Sequence, residues 1–512
     1  MKGKQLLAII GSVALINLLA RFIGFFREVV ASYQFGTSYQ ADSVIIAYTV
    51  PNFLYVVAGG AITTAFISIY SKINDPIEQR KYLESFFGWL SLGLIVLTLI
   101  FVFFSDALID LLFTGLDTKT ADLSNQLFQV MAPATLFLIL SMWLMGLLNV
   151  NNRFTKAALA TLIMNGSFLV IAIVFFPRLG PFAHGYGAIA SAILMFVFLV
   201  YYNKRNQFFH FRPRIKRSPE LGRTMKMMIP IMLGSTSLQL YFLLHRMFGS
   251  WLDEGFITAL NHTSKLVQMP QTVLMTAVTT VIYPLLSRQV AKREYDSISR
   301  LYGQGLNMMA LAIIPVSVFI YFFSEPLVSA IFQYGNFTEE STDMAVPLLQ
   351  VFIIGMFFHA ANVYITRFYY AYERSIYPLV VSLISVLGIN VALNFILIEP
   401  YGAVGLAWGT TISAGCNFLL LFIGIRGILK WEKNIQWKAM FITVGKLGLL
   451  VASLCIGLAG FMTLFDPSNP FFALLSGGVV FLSLFTILLF VLRFPELDYV
   501  RETLNRKIGK KQ

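Results

Sequence analysis

The chain has 512 residues, of which 57% are hydrophobic and only 12% charged, and its formal net charge is +13. Ordinary soluble domains carry about 25% charged residues, so this composition excludes one, and lipid is the solvent for most of the surface. In a soluble protein such an excess of Lys and Arg would suggest nucleic acid; here the basic residues sit in short loops between apolar stretches, so topology explains them and nucleic acid is not expected as a partner.

A helix needs about 20 apolar residues to cross the hydrocarbon core. On that measure the chain is all-α and polytopic, with fourteen expected transmembrane helices. In chain order they are 5–26, 41–70, 84–105, 124–148, 157–176, 184–203, 226–251, 257–286, 304–323, 345–370, 377–398, 403–424, 440–463 and 470–492. The first is longer than a signal-peptide core and lacks a small-residue cleavage site, so it reads as a retained helix. Cys416 and Cys455 fall inside apolar spans and show no metal or disulfide spacing.

Charge tests this order independently. With the N-terminus in the cytoplasm, most of the 38 Lys and Arg fall on the cytoplasmic side. They include Lys2, Lys4, Arg80, Lys81, Arg153 and Lys156, then Arg288, Lys292 and Arg293, and later Arg426, Lys430 and Lys433. External loops are acidic instead, with Asp106, Asp110, Asp117, Asp253, Glu254, Glu339, Glu340 and Asp466. This positive-inside pattern predicts a plasma-membrane protein with both termini in the cytoplasm.

The chain also repeats. Phe103-Phe104-Ser105-Asp106 is echoed by Phe322-Phe323-Ser324-Glu325, and Pro51 by Pro270, both at an offset of 219 positions. Gly187-Ala188 and Gly405-Leu406 fall in equivalent late spans. The offset covers six helices, an even number, so the two halves share orientation and substrate is expected between them. The expected organisation is an N-lobe at 1–205 and a basic cytoplasmic linker at 206–225. A C-lobe at 226–425, helices thirteen and fourteen at 426–493 and a basic tail at 494–512 follow.

An ionisable group inside a span costs about 3 kcal/mol on insertion scales. Arg21, Arg27, Arg246 and Lys265 fall toward the outer ends of the first, seventh and eighth helices. Together they predict a positive site suited to a pyrophosphate, for which Arg offers paired donors and Lys a point charge. Arg367 and Lys446 lie near inner helix ends and read as snorkelling. Glu28 and Asp42 flank the first loop, and either is expected to pair with Arg21 or Arg27. Asn390 and Asn394, four apart on one helix face, suit an ion or a helix–helix hydrogen bond. No P-loop, GxSxG or HExxH is present among the catalytic motifs, so no catalytic residue, metal or cofactor is expected. The Gly24/Gly36 pair and Gly59-Gly60 read as close packing and hinges rather than phosphate loops.

The run Arg21-Phe-Ile-Gly24-Phe-Phe-Arg27-Glu28, then Phe35-Gly36, Ala41-Asp42 and Pro51-Asn52, resembles the N-terminal signature of the MurJ (MviN) lipid II flippases. These belong to the multidrug/oligosaccharidyl-lipid/polysaccharide exporter superfamily. Ser264-Lys265 through Pro270 to Ser287-Arg288 is similar to that family's eighth helix. The resemblance implies an alternating-access flippase for undecaprenyl-pyrophosphate-linked disaccharide-pentapeptide, lipid II, with cell-wall synthesis proteins as associates. It assigns cavity roles to Arg21, Arg27 and Lys265, a lipid-tail groove to the last two helices, and the membrane potential or an ion gradient as energy source. Departures are Tyr55-Val56 and Gly59-Gly60-Ala61 after the Pro-Asn pair, Lys265 in place of Arg and Glu28 in place of Asp. His245-Arg246 also stands where some relatives carry an acidic ion ligand. Rival readings are a flippase for another undecaprenyl-pyrophosphate-linked polysaccharide repeat, a cation-coupled drug exporter, or a non-transporting scaffold.

Overall fold

The computed structural model of the chain describes residues 3–209, 211–216, 218–429, 437–465 and 469–494. Lys2, His210, Arg217, Lys430, Lys433, Asp466 and all of the expected tail except Phe494 lie outside the described residues.

Every regular element among the described residues is helical. The first half holds α1 (Gly3–Phe35), α2 (Tyr39–Tyr70), α3 (Pro76–Phe103), α4 (Ser105–Leu112), α5 (Thr118–Met131), α6 (Ala134–Val150), α7 (Phe154–Leu179) and α8 (Phe182–Arg205). Next come α9 (Pro219–Gly249), α10 (Phe256–Ala291), α11 (Tyr295–Phe322), α12 (Ser324–Phe332) and α13 (Glu339–Ala371). α14 (Ile376–Leu383) runs through a π-helical stretch, Ile384–Asn390, into α15 (Val391–Gly424). A single turn α16 (Arg426–Leu429), then α17 (Trp437–Leu464) and α18 (Pro470–Leu492), complete the order. Starts follow the usual capping chemistry: Asp75, Asp117 and Ser218 accept N–H bonds from Ile77, Thr120 and Leu221, with Pro at the first helical position of α3 and α9.

Nine described helices are long and apolar enough to cross a membrane, and eleven if each of two bent pairs is one span. The chain is therefore a multi-pass membrane protein. Length and composition alone give fewer spans than the fourteen expected. One reason is visible in the 54-residue run Ile376–Leu429. At 1.5 Å per residue it measures about 80 Å, more than twice a hydrocarbon core, and Gly402 breaks it with φ 52° and ψ −132°.

The internal repeat reappears in the backbone. α3 and α11 each end at the first Phe of the Phe-Phe-Ser motif, the second Phe caps them, and a short helix, α4 or α12, starts at the Ser. Gly180, which joins α7 to α8, has φ 53° and ψ −132°, the same conformation as Gly402. Matching torsions at matching places support duplication more strongly than the short sequence echoes do.

Contacts divide the chain into two units: residues up to Thr258 with Gly335–Phe337, and Ala259–Tyr334 with residues from Thr338 onward. In the first, α7 packs along α8, α1 along α7, and α2 along α5, α6 and α9. Its core includes an aromatic cluster of Phe66, Tyr82, Phe86 and Trp143, all 1% exposed or less. The linker is laid onto this cluster. Phe209 packs edge-on against Phe87 and Trp143, each at 5.2 Å, and Arg214 N–H donates to the Glu84 carbonyl at 3.0 Å. Tyr82 hydroxyl meets Thr224 Oγ1 at 2.7 Å, tying α9 to α3.

The end of α1 needs glycine. Gly36 sits at φ +62° and its N–H caps the Ser32 carbonyl at 2.8 Å. Asn336 lies over it, donating through its backbone N–H to Tyr33 O (3.0 Å) and through Nδ2 to Gln34 O (2.6 Å). A Cβ at Gly36 would run into the Asn336 carbonyl. Gly36→Ala is therefore expected to destabilise the first unit by about 2–3 kcal/mol, from left-handed strain plus the clash. A thermal unfolding midpoint within error of wild type would overturn this.

In the second unit α13 packs along α15 and α11, and α17 and α18 pack against α11 and α12. Leu450, Leu454 and Leu458, one turn apart on α17, are fully buried with Phe481 of α18 and Phe323. Asn469 caps α18 by accepting from Phe471 N and Phe472 N. Lys446 is not a snorkelling residue: its Nζ donates to the Arg493 carbonyl at 2.8 Å, holding the end of α18 against α17.

Candidate functional site

α1 carries Arg21, Arg27 and Glu28. Its helix continues past the apolar run because the charges find partners rather than ending it. Arg27 Nη2 pairs with Glu28 Oε1 at 3.1 Å, with 17% and 10% of the two side chains exposed. The guanidinium also lies 4.5 Å from the Phe168 ring centroid on α7 and 5.7 Å from that of Tyr48 on α2. Cation–π attraction and an ion pair are the compensation a buried guanidinium requires.

Arg246 on α9 reaches the neighbouring position of α2. Its Nη1 donates to Thr49 Oγ1 at 3.1 Å, and Thr49 Oγ1 donates in turn to Ile45 O at 2.7 Å. Glu28 lies within electrostatic reach of Arg246 as well as Arg27. Two cations and one anion thus gather around adjacent residues of α2, wholly inside the first unit, with a formal charge of +1. Below them His184 Nε2 meets Gln34 Oε1 at 2.7 Å, and Gln34 Nε2 donates to Ala172 O at 3.1 Å. Since Gln34 spends its donor on Ala172, the His184 Nε2 carries the proton in that bond.

The other expected residues fall elsewhere. Arg21 is exposed. Six residues turn an α-helix through about 600°, so Arg21 points roughly 120° away from Arg27. Asp42 does not pair with either Arg. Its Oδ2 accepts from Gly255 N at 2.7 Å, and its Oδ1 accepts from Thr258 N at 2.8 Å and Thr258 Oγ1 at 2.5 Å. Asp42, 3% exposed, caps the start of α10. Glu254 returns the arrangement by accepting from Tyr39 N, at the start of α2, at 2.7 Å. In the sequence these reciprocal caps show only as an acidic residue near each helix start, Asp42 in the first turn of α2 and Glu254 just before α10. Lys265 lies half-buried on the part of α10 that belongs to the second unit.

Asn390 and Asn394 are fully buried in the second unit. Asn394 Nδ2 donates to Asn390 Oδ1 at 3.3 Å, and Asn390 Nδ2 donates to Thr410 Oγ1 at 3.3 Å. Asn390 ends the π-helical stretch, whose extra residue per turn re-aims the side chains that follow it. The chain of amide bonds ties the two arms of the 376–429 run together. No group of three or more His, Cys, Asp or Glu is arranged to hold a metal ion among the described residues.

The fold and this cluster define a duplicated, all-helical, multi-pass membrane protein with buried basic residues. The family model described as "Lipid II flippase MurJ" matches residues 31–488. A protein named "Probable lipid II flippase MurJ" from Buchnera aphidicola subsp. Schizaphis graminum is 27% identical over 471 residues, covering 89% of this chain and 90% of its own length. The "Lipid II flippase MurJ" of Burkholderia cenocepacia is 24% identical over 450 residues, 86% of this chain and 87% of its own. A solved "Lipid II flippase MurJ, inward closed conformation" superposes with a TM-score of 0.80 at 24% identity, covering 93% of this chain and 97% of that one. An inward-facing multidrug-resistance transporter of the MATE family and MOP superfamily follows, at TM-score 0.67 and 15% identity over 81% of this chain and 99% of that one. The chain belongs to the MurJ lipid II flippase family.

Proposed function

We propose that this chain flips lipid II, the undecaprenyl-pyrophosphate-linked cell-wall precursor, from the cytoplasmic to the outer leaflet by alternating access. Family membership across nearly the whole chain carries the reading, and the buried Arg27–Glu28–Arg246 cluster supplies chemistry that fits it. A pyrophosphate needs paired guanidinium donors. Glu28 keeps Arg27 in place without cargo and weakens its hold on an anion, so that the headgroup is not trapped. In this reading Arg27 and Arg246 take the pyrophosphate, and Arg21 and Lys265 are the further cations that the resemblance assigns. The protein sits in the plasma membrane with both termini in the cytoplasm, as the distribution of basic loops supports. The two repeated sets of six helices are the moving lobes, and α17 and α18 accommodate the polyprenyl tail. Cell-wall synthesis proteins are the associates this role calls for.

A basic cluster argues against a cationic drug as cargo. The test is translocation of fluorescent lipid II in vesicles holding only the purified protein, with and without an imposed potential. Protein-dependent movement of lipid II is expected. Movement of another undecaprenyl-pyrophosphate-linked glycan in its place would transfer the assignment to that cargo, and no movement of either would remove it.

A further inference from the structure

A cavity of about 340 Å³ lies inside the second unit where α11, α13 and α17 meet. Ser317 and Tyr321 of α11, Ile354 and Phe357 of α13 and Cys455 of α17 form its wall, with further apolar side chains between them. Of its two wall hydroxyls, that of Ser317 is already used, since Ser317 Oγ donates to Ile313 O at 3.0 Å, and that of Tyr321 belongs to a side chain at the exposed edge.

The rim is polar and fixes the level of the mouth. Gln350 Nε2 on α13 donates to Ser324 Oγ at 3.1 Å and to the Tyr321 carbonyl at 3.4 Å, beside the end of α11. From that level the wall runs inward along α13 to Phe358, two turns and about 12 Å deeper. Cys455 stands about 14 Å from the end of α17 at Leu464. The cavity is therefore about as deep as one leaflet of a hydrocarbon core roughly 30 Å thick. It is partly open, and Ile354 and Tyr321 at its edge are 42% and 40% exposed.

Water does not suit this space, because a buried water needs two to four polar partners. An empty space would leave the aromatic and aliphatic wall without dispersion contacts on one side. A flexible apolar chain entering from the side supplies them. We propose that the cavity is a binding site for one acyl chain of a bilayer phospholipid, which packs between α13 and α17 and fastens the C-terminal helices to the rest of their unit. The site shares α17 with the place suggested for the cargo's tail but lies on the side of that helix facing α11 and α13, and α18 contributes nothing to its wall. It depends on the chain spanning a membrane and not on which cargo is moved.

The test uses the full chain in nanodiscs of phosphatidylethanolamine and phosphatidylglycerol. One preparation contains phosphatidylethanolamine with a mid-chain diazirine, and another a polyprenyl phosphate with the same group on its chain. After irradiation the phospholipid probe is expected to label the 314–322 and 353–358 segments and the residues around Cys455. In a Cys416→Ser background, coupling a dodecyl chain to Cys455 through a disulfide fills the cavity in protein that is already folded. It should cut that labelling at least five-fold while labelling of α18 is unchanged. Ile354→Trp should do the same and make the unfolding midpoint less sensitive to exhaustive delipidation. Labelling unchanged by the coupled chain, labelling by the polyprenyl probe alone, or no labelling of these segments would each overturn the proposal.

Discussion

Asp42→Ala is expected to destabilise the protein by about 3–5 kcal/mol, because it orphans two backbone N–H groups at the start of α10 that have no route to water. Each hydrogen bond to a carboxylate contributes about 1.5–3 kcal/mol, and Asp42 makes three, one of them to the Thr258 hydroxyl. The negative charge also faces the positive end of a 36-residue helix. Asp42→Asn keeps one acceptor but turns an amide NH2 toward a donor, so it should recover less than half of the loss. Amide exchange is the direct measurement. Gly255 and Thr258 should exchange at least ten-fold faster in Asp42→Ala, and protection equal to wild type would show that the cap contributes nothing.

The second large effect concerns Arg27. Arg27→Ala should abolish growth of a cell depleted of its own lipid II flippase. Part of the damage is structural, since it breaks the buried ion pair between Arg27 and Glu28, a change that costs about 3–5 kcal/mol in comparable sites. The double change Arg27→Ala with Glu28→Gln removes the carboxylate charge left by that break. It is expected to restore expression and thermal stability to near wild type while transport stays lost. Recovery of growth by the double variant would show that Arg27 matters only as a partner for Glu28. Arg27→Lys should retain the ion pair and lose the paired donors, leaving weak activity.

Much of this architecture is readable in the apolar spans, since lipid forces nearly every backbone group into a helix. What the spans hide is where helices start, bend and stop. Reading by apolarity ends the first helix at 26, yet α1 continues to Phe35 because Arg27 and Glu28 neutralise each other. The span 124–148 is two helices, α5 and α6, bent by 42° at Ala132-Pro133, and the run from 376 to 429 conceals Gly402. The linker reads as a basic tether from Arg212, Arg214 and Lys216. The informative residues were Phe209 and Phe211, which fasten it to the Trp143 cluster.

The charged site was legible in part for a physical reason. A cation within a span is costly enough to announce itself, so Arg27 and Arg246 stood out. Which carboxylate serves them did not, because Glu28 and Asp42 differ only in tertiary surroundings. Asp42 finds its donors 213 and 216 positions away, and nothing local signals so distant a partner. The same applies to Arg21, where sequence proximity to Arg27 concealed a different helix face.

Gly180 and Gly402 share one pair of torsions although the residues around them have diverged. A turn held so closely in both halves marks them as copies of one helical pattern. The charged site has diverged only in part: 219 positions on from Arg27 stands Arg246, a cation in both copies, while Glu28 is answered by Met247, so the carboxylate belongs to one half alone. Asymmetry between halves is what a carrier of a one-headed, one-tailed molecule requires, and here it was written onto a symmetric frame.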